Sequence, residues 1–316
     1  MSLNYKINLE NYFVHPFPHI IQDDFLNKEI LNNILLNWPQ DEYFYDEITG
    51  IRLVDLMYSA KSKNIIKMIL RVLSGNINYF KSRKLLSKSQ RKFWADFIDF
   101  EIPKINEAIY RCFEDSLSAK FGISNEVPSI EKLNLMQANE KFNGHGIHSH
   151  HYHNPNWTFT MLLNIEDDGI KTKGTDIYSM SKNKNLNDID ELTNFALKNR
   201  IIPNPEGLLG EKKTVEFKNN RLLAFLDTPI SYHGVTPGII QDEKLSGKQS
   251  RKIIRLHTKY HRSYVKKLYG FNLRKNLELR SKFMENNNSK AKDDLSNPDH
   301  LIHKGIKKEL KEIFKL

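Results

Sequence analysis

Between about residue 130 and residue 260 the chain breaks into short apolar or alternating runs: "LNLMQA", "WTFTMLLNI", "TDIYSM", "KTVEF", "RLLAFL" and "KIIRLHTKY". Gly, Pro, Asn and Asp fill the gaps between them, as expected of strands in an antiparallel unit. Helical spacing of apolar residues precedes this stretch and returns after it. These observations predict an α+β fold: a double-stranded β-helix core, the cupin-like jelly roll, flanked by N- and C-terminal helices.

The elements follow in order. "HPFPHIIQDDFLNKEILNNILLNWP" opens as an extended strand interrupted by Pro16 and Pro18. Asp23 or Asp24 is then placed to cap a helix carrying Phe25, Ile30, Ile34 and Leu35 on roughly one face. Residues 61–75 and 88–119 read as helical, the second with a break expected at Pro103. The strands of the core come next, with the polar stretch 181–210 as an insertion holding one short helical candidate, "DIDELTNFALKN". After Tyr260 the helical texture resumes, and the chain ends in the basic amphipathic "HKGIKKELKEIFKL". The expected organisation is one domain over 1–261, with a helical N-terminal region over residues 1–129 and a jelly-roll core over 130–261, and a basic helical extension over 262–316.

Composition narrows the function classes. Hydrophobic content of 39% and aromatic content of 11% fit a packed globular chain and exclude a disordered one. No run approaches the ~18–20 apolar residues that span a bilayer. "MSLNYKINLENYF" lacks an apolar core with a small-residue cleavage site, so no signal peptide is expected. A single cysteine, Cys112, forbids internal disulfides and points to a reducing cytoplasm. The net charge is +10, and residues 262–316 carry 14 Lys and Arg against 7 Asp and Glu. No aromatic-studded nucleic-acid motif accompanies this excess, so it reads as a solvated helical appendage rather than a nucleic-acid surface.

Candidate chemistry concentrates in "GIHSHHYHNPNW". Five of the chain's twelve histidines fall between His145 and His153. His151 and His153 sit two apart, so on an extended strand they share a face; His148 and His150 form a second such pair. A third imidazole, His233, lies about eighty residues on, after an apolar strand and before Gly234, where backbone can approach closely. Two near ligands and one distant ligand assemble a three-ligand metal face with open positions, a pattern that suits both non-haem iron and catalytic zinc.

Four segments together resemble the iron(II)- and 2-oxoglutarate-dependent dioxygenases, in particular their prolyl-hydroxylase-like branch. "HPFPHIIQDDFL" is similar to the opening strand and helix of that branch, and "HHYHNPNWTFTMLLNI" to its His-x-Asp segment followed by Asn-Pro and an apolar strand. "GTDIY" resembles its Gly-Gly-x-Leu-x-Ile-Tyr turn. "NRLLAFLDTPISYHGVTP" with "RKIIRLHTKY" resembles the distal-His segment and the Arg-bearing last strand. The resemblance covers roughly 12–36 and 130–260.

What it implies is specific. The Asn154-Pro155 step aligns His151 with the first metal ligand and His153 with the position normally held by Asp; His233 aligns with the distal ligand. Arg251 aligns with the residue that pairs with the far carboxylate of 2-oxoglutarate, with Arg255 two even steps along the same strand face as the second candidate. The pair His148 and His150 stays open beside His151 and His153. The implied cofactors are Fe(II) and 2-oxoglutarate. The implied reaction is oxidative decarboxylation to succinate coupled to hydroxylation, or another oxidation, of a small-molecule or peptide substrate. Trp157, Tyr178 and Tyr232 are candidate pocket neighbours, Trp157 being read as core. Replacing the carboxylate by His153 removes a charge from the site. That leaves three outcomes: an altered iron site, a different metal such as Zn, Ni or Cu, or a two-His site with a vacancy. Two rival readings stand beside this one: a three-His metalloenzyme that does not use 2-oxoglutarate, and a non-catalytic interaction protein on a degenerate jelly roll.

Overall fold

A computed structural model describes residues 5–48, 51–60, 85–138, 144–150, 156–166, 174–180, 209–228, 231–235, 251–261 and 264. The expected helix at 61–75, most of the 181–210 insertion and nearly all of the C-terminal extension lie outside them.

Twelve strands are described: β1 (Tyr12–Phe13), β2 (His19–Gln22), β3 (Tyr45–Ile48), β4 (Ile51–Asp55), β5 (Ser129–Ala138), β6 (His145–His148), β7 (Trp157–Glu166), β8 (Thr175–Met180), β9 (Leu209–Val215), β10 (Leu222–Leu226), β11 (His233–Val235) and β12 (Lys252–Lys259). They form an eight-stranded sheet, β1-β2-β10-β7-β12-β5-β4-β3, and a four-stranded sheet, β6-β11-β8-β9, with antiparallel pairing throughout. From β5 to β12 the chain visits the large sheet at β5, β7, β10 and β12 and the small one at β6, β8, β9 and β11. This repeated crossing between two sheets is the double-stranded β-helix.

The large sheet buries both faces. Alternation sends Leu133, Leu135, Phe159, Met161, Leu163, Ile254 and Leu256 to one side, into the main core. There they meet Ile105, Ile109, Phe113 and Leu117 of the long helix Ile102–Phe121; Phe113 and Phe159 pack with ring centroids 5.8 Å apart. The opposite face carries Leu223 and Phe225, which pack with Ile177 and Val215 of the small sheet.

The helices number four among the described residues: α1 (Lys28–Leu36), α2 (Leu56–Ser59), α3 (Lys88–Asp96) and α4 (Ile102–Phe121). The cap of α1 is Asn27, whose side chain accepts from Ile30 N–H, rather than Asp23 or Asp24. Asp23 is engaged by Arg221 and Lys218, and Asp24 takes a positive φ of 49°, a conformation unsuited to an N-cap. Pro103 does not break the helical run. It falls in the first turn of α4, where a missing N–H is tolerated, after a π turn at Phe97–Glu101 in which Ile102 N–H donates to the Phe97 carbonyl. Gly122, at φ +65°, ends α4 in the left-handed conformation.

The N-terminal region is more than helical: β1 and β2 extend one edge of the large sheet, and β3 and β4 the other.

Candidate metal and cofactor site

Local geometry places the imidazoles. On β6 and β11, His148 and His233 are directly paired across strands. The two strands approach so closely that a Cβ on Gly234 would lie 2.9 Å from the His145 carbonyl oxygen, so only glycine fits there without a shift. His150 follows β6 and turns inward. Ligand-capable nitrogens of His148, His150 and His233 all lie within 4.8 Å of one another. Ring centroids are 4.3 Å apart for His148 and His233, and 4.7 Å for His150 and His233.

Hydrogen bonding leaves one nitrogen of each ring available. His148 Nδ1 lies 2.8 Å from the Gly146 carbonyl oxygen, and His233 Nδ1 lies 2.9 Å from that of Ser231. A carbonyl only accepts, so both Nδ1 atoms carry the proton and both Nε2 atoms carry the lone pair. His150 Nδ1 lies 3.1 Å from Asp227 Oδ1 and 3.0 Å from Thr160 Oγ1. Burial holds His148 and His233 well below the ordinary imidazole range, with the neighbouring histidines adding to the effect. Neutral rings oriented by their outer nitrogens are what a divalent metal requires of its ligands.

Beneath the trio is a buried polar network. Thr160 Oγ1 contacts both carboxylate oxygens of Asp227, at 3.3 and 3.0 Å, and His257 Nδ1 at 2.9 Å. Trp157 is buried, as expected, but stacks on His257 with centroids 4.5 Å apart and lies 5.5 Å from the His150 ring. Tyr178 and Tyr232 belong to the main core. Sequence reasoning missed Asp227, Thr160 and His257. Their one signal was polarity inside apolar strand runs, and only the pairing of His257 with Thr160 across β12 and β7 gives it meaning.

Above the imidazoles opens a cleft enclosing ≈ 660 Å³, mouth included. His148, His150 and His233 line it, and so do Arg251, Ile253 and Arg255, which alternate onto one face as expected of strand residues two apart. Phe225, Leu162 and Met136 supply apolar wall. Arg255 Nη2 donates to Asn134 Oδ1 at 3.3 Å. Arg251 is buried; among the described residues its side chain makes a long 3.5 Å contact from Nη2 to Thr175 Oγ1, and its guanidinium lies 5.0 Å from the Phe217 ring. Among the described residues its buried Nε has no hydrogen-bond partner. Burial pushes its pKa down to about 10, partly opposed by Asp176.

Of the expected site residues, His233, Arg251 and Arg255 therefore share one cleft. His151 and His153 fall in 151–155, outside the described residues. The histidines that meet His233 among the described residues are His148 and His150, the second of the two pairs the sequence allowed.

No protein-family model matches the chain, and no curated protein sequence is similar to it. Solved structures with a related outline include a prolyl hydroxylase from Trichoplax adhaerens, crystallised with a peptide of a hypoxia-inducible factor. It is 12% identical, with 76% of this chain and 83% of that one covered at a TM-score of 0.41. An oxidoreductase of the 2OG-Fe(II) oxygenase family from Burkholderia pseudomallei is 9% identical, with 77% and 84% covered at 0.41. A Pseudomonas putida prolyl-4-hydroxylase is 10% identical, with 77% and 92% covered at 0.39.

Proposed function

We propose that this protein is an Fe(II)- and 2-oxoglutarate-dependent oxygenase that hydroxylates, or otherwise oxidises, a small molecule or peptide. One observation carries the reading: three imidazoles and a buried guanidinium, under-bonded among the described residues, line the same cleft of a jelly roll. The donor set fits the implied groups. Each imidazole keeps its outer nitrogen on an acceptor and its other nitrogen for a metal. The Arg251 fork, short of partners among the described residues, fits a carboxylate bidentately.

In this reading His148, His150 and His233 would hold the metal. Arg251 binds the far carboxylate of 2-oxoglutarate and fixes its direction, and Arg255 adds positive potential along the same face. Phe225, Leu162 and Ile253 keep water from the reacting region. When bound, Fe(II) with 2-oxoglutarate supplies the oxidising power: dioxygen and 2-oxoglutarate are consumed, succinate and carbon dioxide leave, and one oxygen atom is available to the substrate. A second ligand set, His151 and His153 with His233, is favoured by the Asn154-Pro155 step in the sequence. A cytoplasmic setting belongs to the same proposal and is supported by the single cysteine, half-buried on α4. Among the described residues no helix is long and apolar enough to cross a membrane.

The test is anaerobic loading with Fe(II), then addition of 2-oxoglutarate and air, with succinate measured by mass spectrometry. One metal per chain and succinate above the metal-free background are expected. Arg251→Ala is expected to abolish 2-oxoglutarate binding and leave the metal in place. A metal-loaded protein that neither binds 2-oxoglutarate nor makes succinate overturns the proposal. Metal-dependent activity indifferent to Arg251→Ala identifies a three-His enzyme of other chemistry instead.

A further inference from the structure

Three neutral imidazoles bring no charge to a divalent cation in a buried site. Asp227, just after β10, is bonded to a member of that trio, its Oδ1 lying 3.1 Å from His150 Nδ1. It is fully buried. Its backbone is fixed from two sides: its N–H donates to the Thr158 carbonyl at 2.9 Å, and its carbonyl accepts from the buried Lys120 ammonium of α4. Asp227, His150 and His257 also offer three ligand atoms within 4.8 Å of one another. That group, however, already has the Thr160 hydroxyl in its midst, within 3.3 Å of each member. The hydroxyl donates to Asp227 and accepts from His257, and the one His150 Nδ1 proton is shared between Asp227 and the hydroxyl, so the group is a satisfied hydrogen-bond hub rather than a second cation site. His150 alone belongs both to this hub and to the trio facing the cleft.

We infer that Asp227 is the positioning carboxylate of the metal site, acting through His150. It holds the His150 Nδ1 proton, directs Nε2 at the metal and places beside that ring the negative charge that the ligand set lacks. The inference rests on the proposed metal site with His150 as a ligand. Removing such outer partners of a ligating histidine commonly weakens metal binding 10–100-fold.

The experiment measures Zn(II) and Co(II) affinity by competition with a chromophoric chelator, for the wild-type chain and for Asp227→Asn. The amide keeps the shape and removes the charge. A Kd about 10–100-fold weaker is expected, with a changed Co(II) visible spectrum and a metal-free melting temperature that does not fall. A Kd within threefold of wild type and an unchanged Co(II) spectrum overturn the inference, whatever happens to the melting temperature. Should Asp227→Asn not fold, NMR of the wild-type Zn(II) protein labelled with 15N-histidine decides the same question. The His150 Nδ1 proton, held by a carboxylate, should resonate downfield of those of His148 and His233, which are held by carbonyls; three equivalent positions overturn the inference. Loss of metal binding in His233→Ala, but not in Asp227→Asn, leaves the site standing and removes only this role for Asp227. A wild-type chain that binds neither metal removes both.

Discussion

Arg251→Met separates a binding arginine from a structural one, because the two readings give opposite signs. Burial pushes the Arg251 pKa down to about 10, more than two units below the ordinary guanidinium range. At about 1.4 kcal/mol per pH unit, the charged guanidinium costs the ligand-free protein about 3 kcal/mol. A methionine of similar length removes that cost. It also forfeits the contact with the Phe217 ring and the long bond to Thr175, worth about 1–2 kcal/mol together. The net expectation is a metal-loaded, 2-oxoglutarate-free protein more stable by about 1–2 kcal/mol, a rise in melting temperature of about 1.5–3 °C. The ligand response should shrink to below about 1 kcal/mol at a 2-oxoglutarate concentration a hundred times the wild-type Kd. In wild type, 2-oxoglutarate at a hundred times its Kd should add about 2.7 kcal/mol. Loss of a buried carboxylate anchor, about 2–5 kcal/mol, raises that Kd at least about 30-fold. Differential scanning calorimetry of the Zn(II) form, with and without 2-oxoglutarate, reads both effects. A melting temperature several degrees lower, with the 2-oxoglutarate response intact, refutes the reasoning and makes Arg251 a structural residue.

Other perturbations test the frame around the site. His19 is fully buried on β2 and has a folded-state pKa lowered to about 4 by burial, so it stays neutral while the unfolded chain takes a proton below about 6.5. Stability should therefore be complete above that pH and fall from about 6.5 to 4. His19→Leu should remove up to about 3 kcal/mol of the fall in urea titrations at pH 7 and 4.5; an unaltered slope contradicts this. Gly234→Ala forces β11 and β6 apart against the His145 carbonyl. It should cost about 1–3 kcal/mol and weaken Zn(II) binding, since His233 and His148 ride on those strands; an unchanged Zn(II) Kd counts against the cross-strand ligand pair. Asp23, held near pKa 2 by Arg221 and Lys218, ties the chain after β2 to the turn before β10. Because it is partly exposed, Asp23→Ala should cost only about 1 kcal/mol at pH 7. That difference should disappear as pH falls from about 4 to 2, and a difference that persists at pH 2 assigns the effect to packing.

The core strands were legible because their apolar residues alternate or run unbroken. β7, β8, β10 and β12 fall within a residue or two of the runs that announced them, and their order carries the jelly roll. Arg251 was marked by the resemblance, and the two-residue period placed Arg255 on its face. The hairpin of β3 and β4 was not read, because aromatic and acidic residues in "EYFYDEITGIRLVDL" mask its alternation, although Ile51, Leu53 and Val54 are buried. β6 was hidden for a different reason. "HGIH" has no apolar period, and its strand state comes from pairing with β11, eighty-five residues away. The choice among histidines is likewise a matter of long-range pairing: local spacing offers two equivalent pairs, and among the described residues it is His148 and His150 that meet His233. The Asp227, Thr160 and His257 hub is assembled from three strand regions, so nothing local distinguishes its members from ordinary polar strand residues.

The most direct test is anomalous diffraction from crystals grown anaerobically with Mn(II) and 2-oxoglutarate. One ion should lie at coordination distance from His148, His150 and His233, with the guanidinium of Arg251 on the far carboxylate of 2-oxoglutarate. An ion bound elsewhere, or a cleft in which His233 touches no metal, contradicts the proposed site.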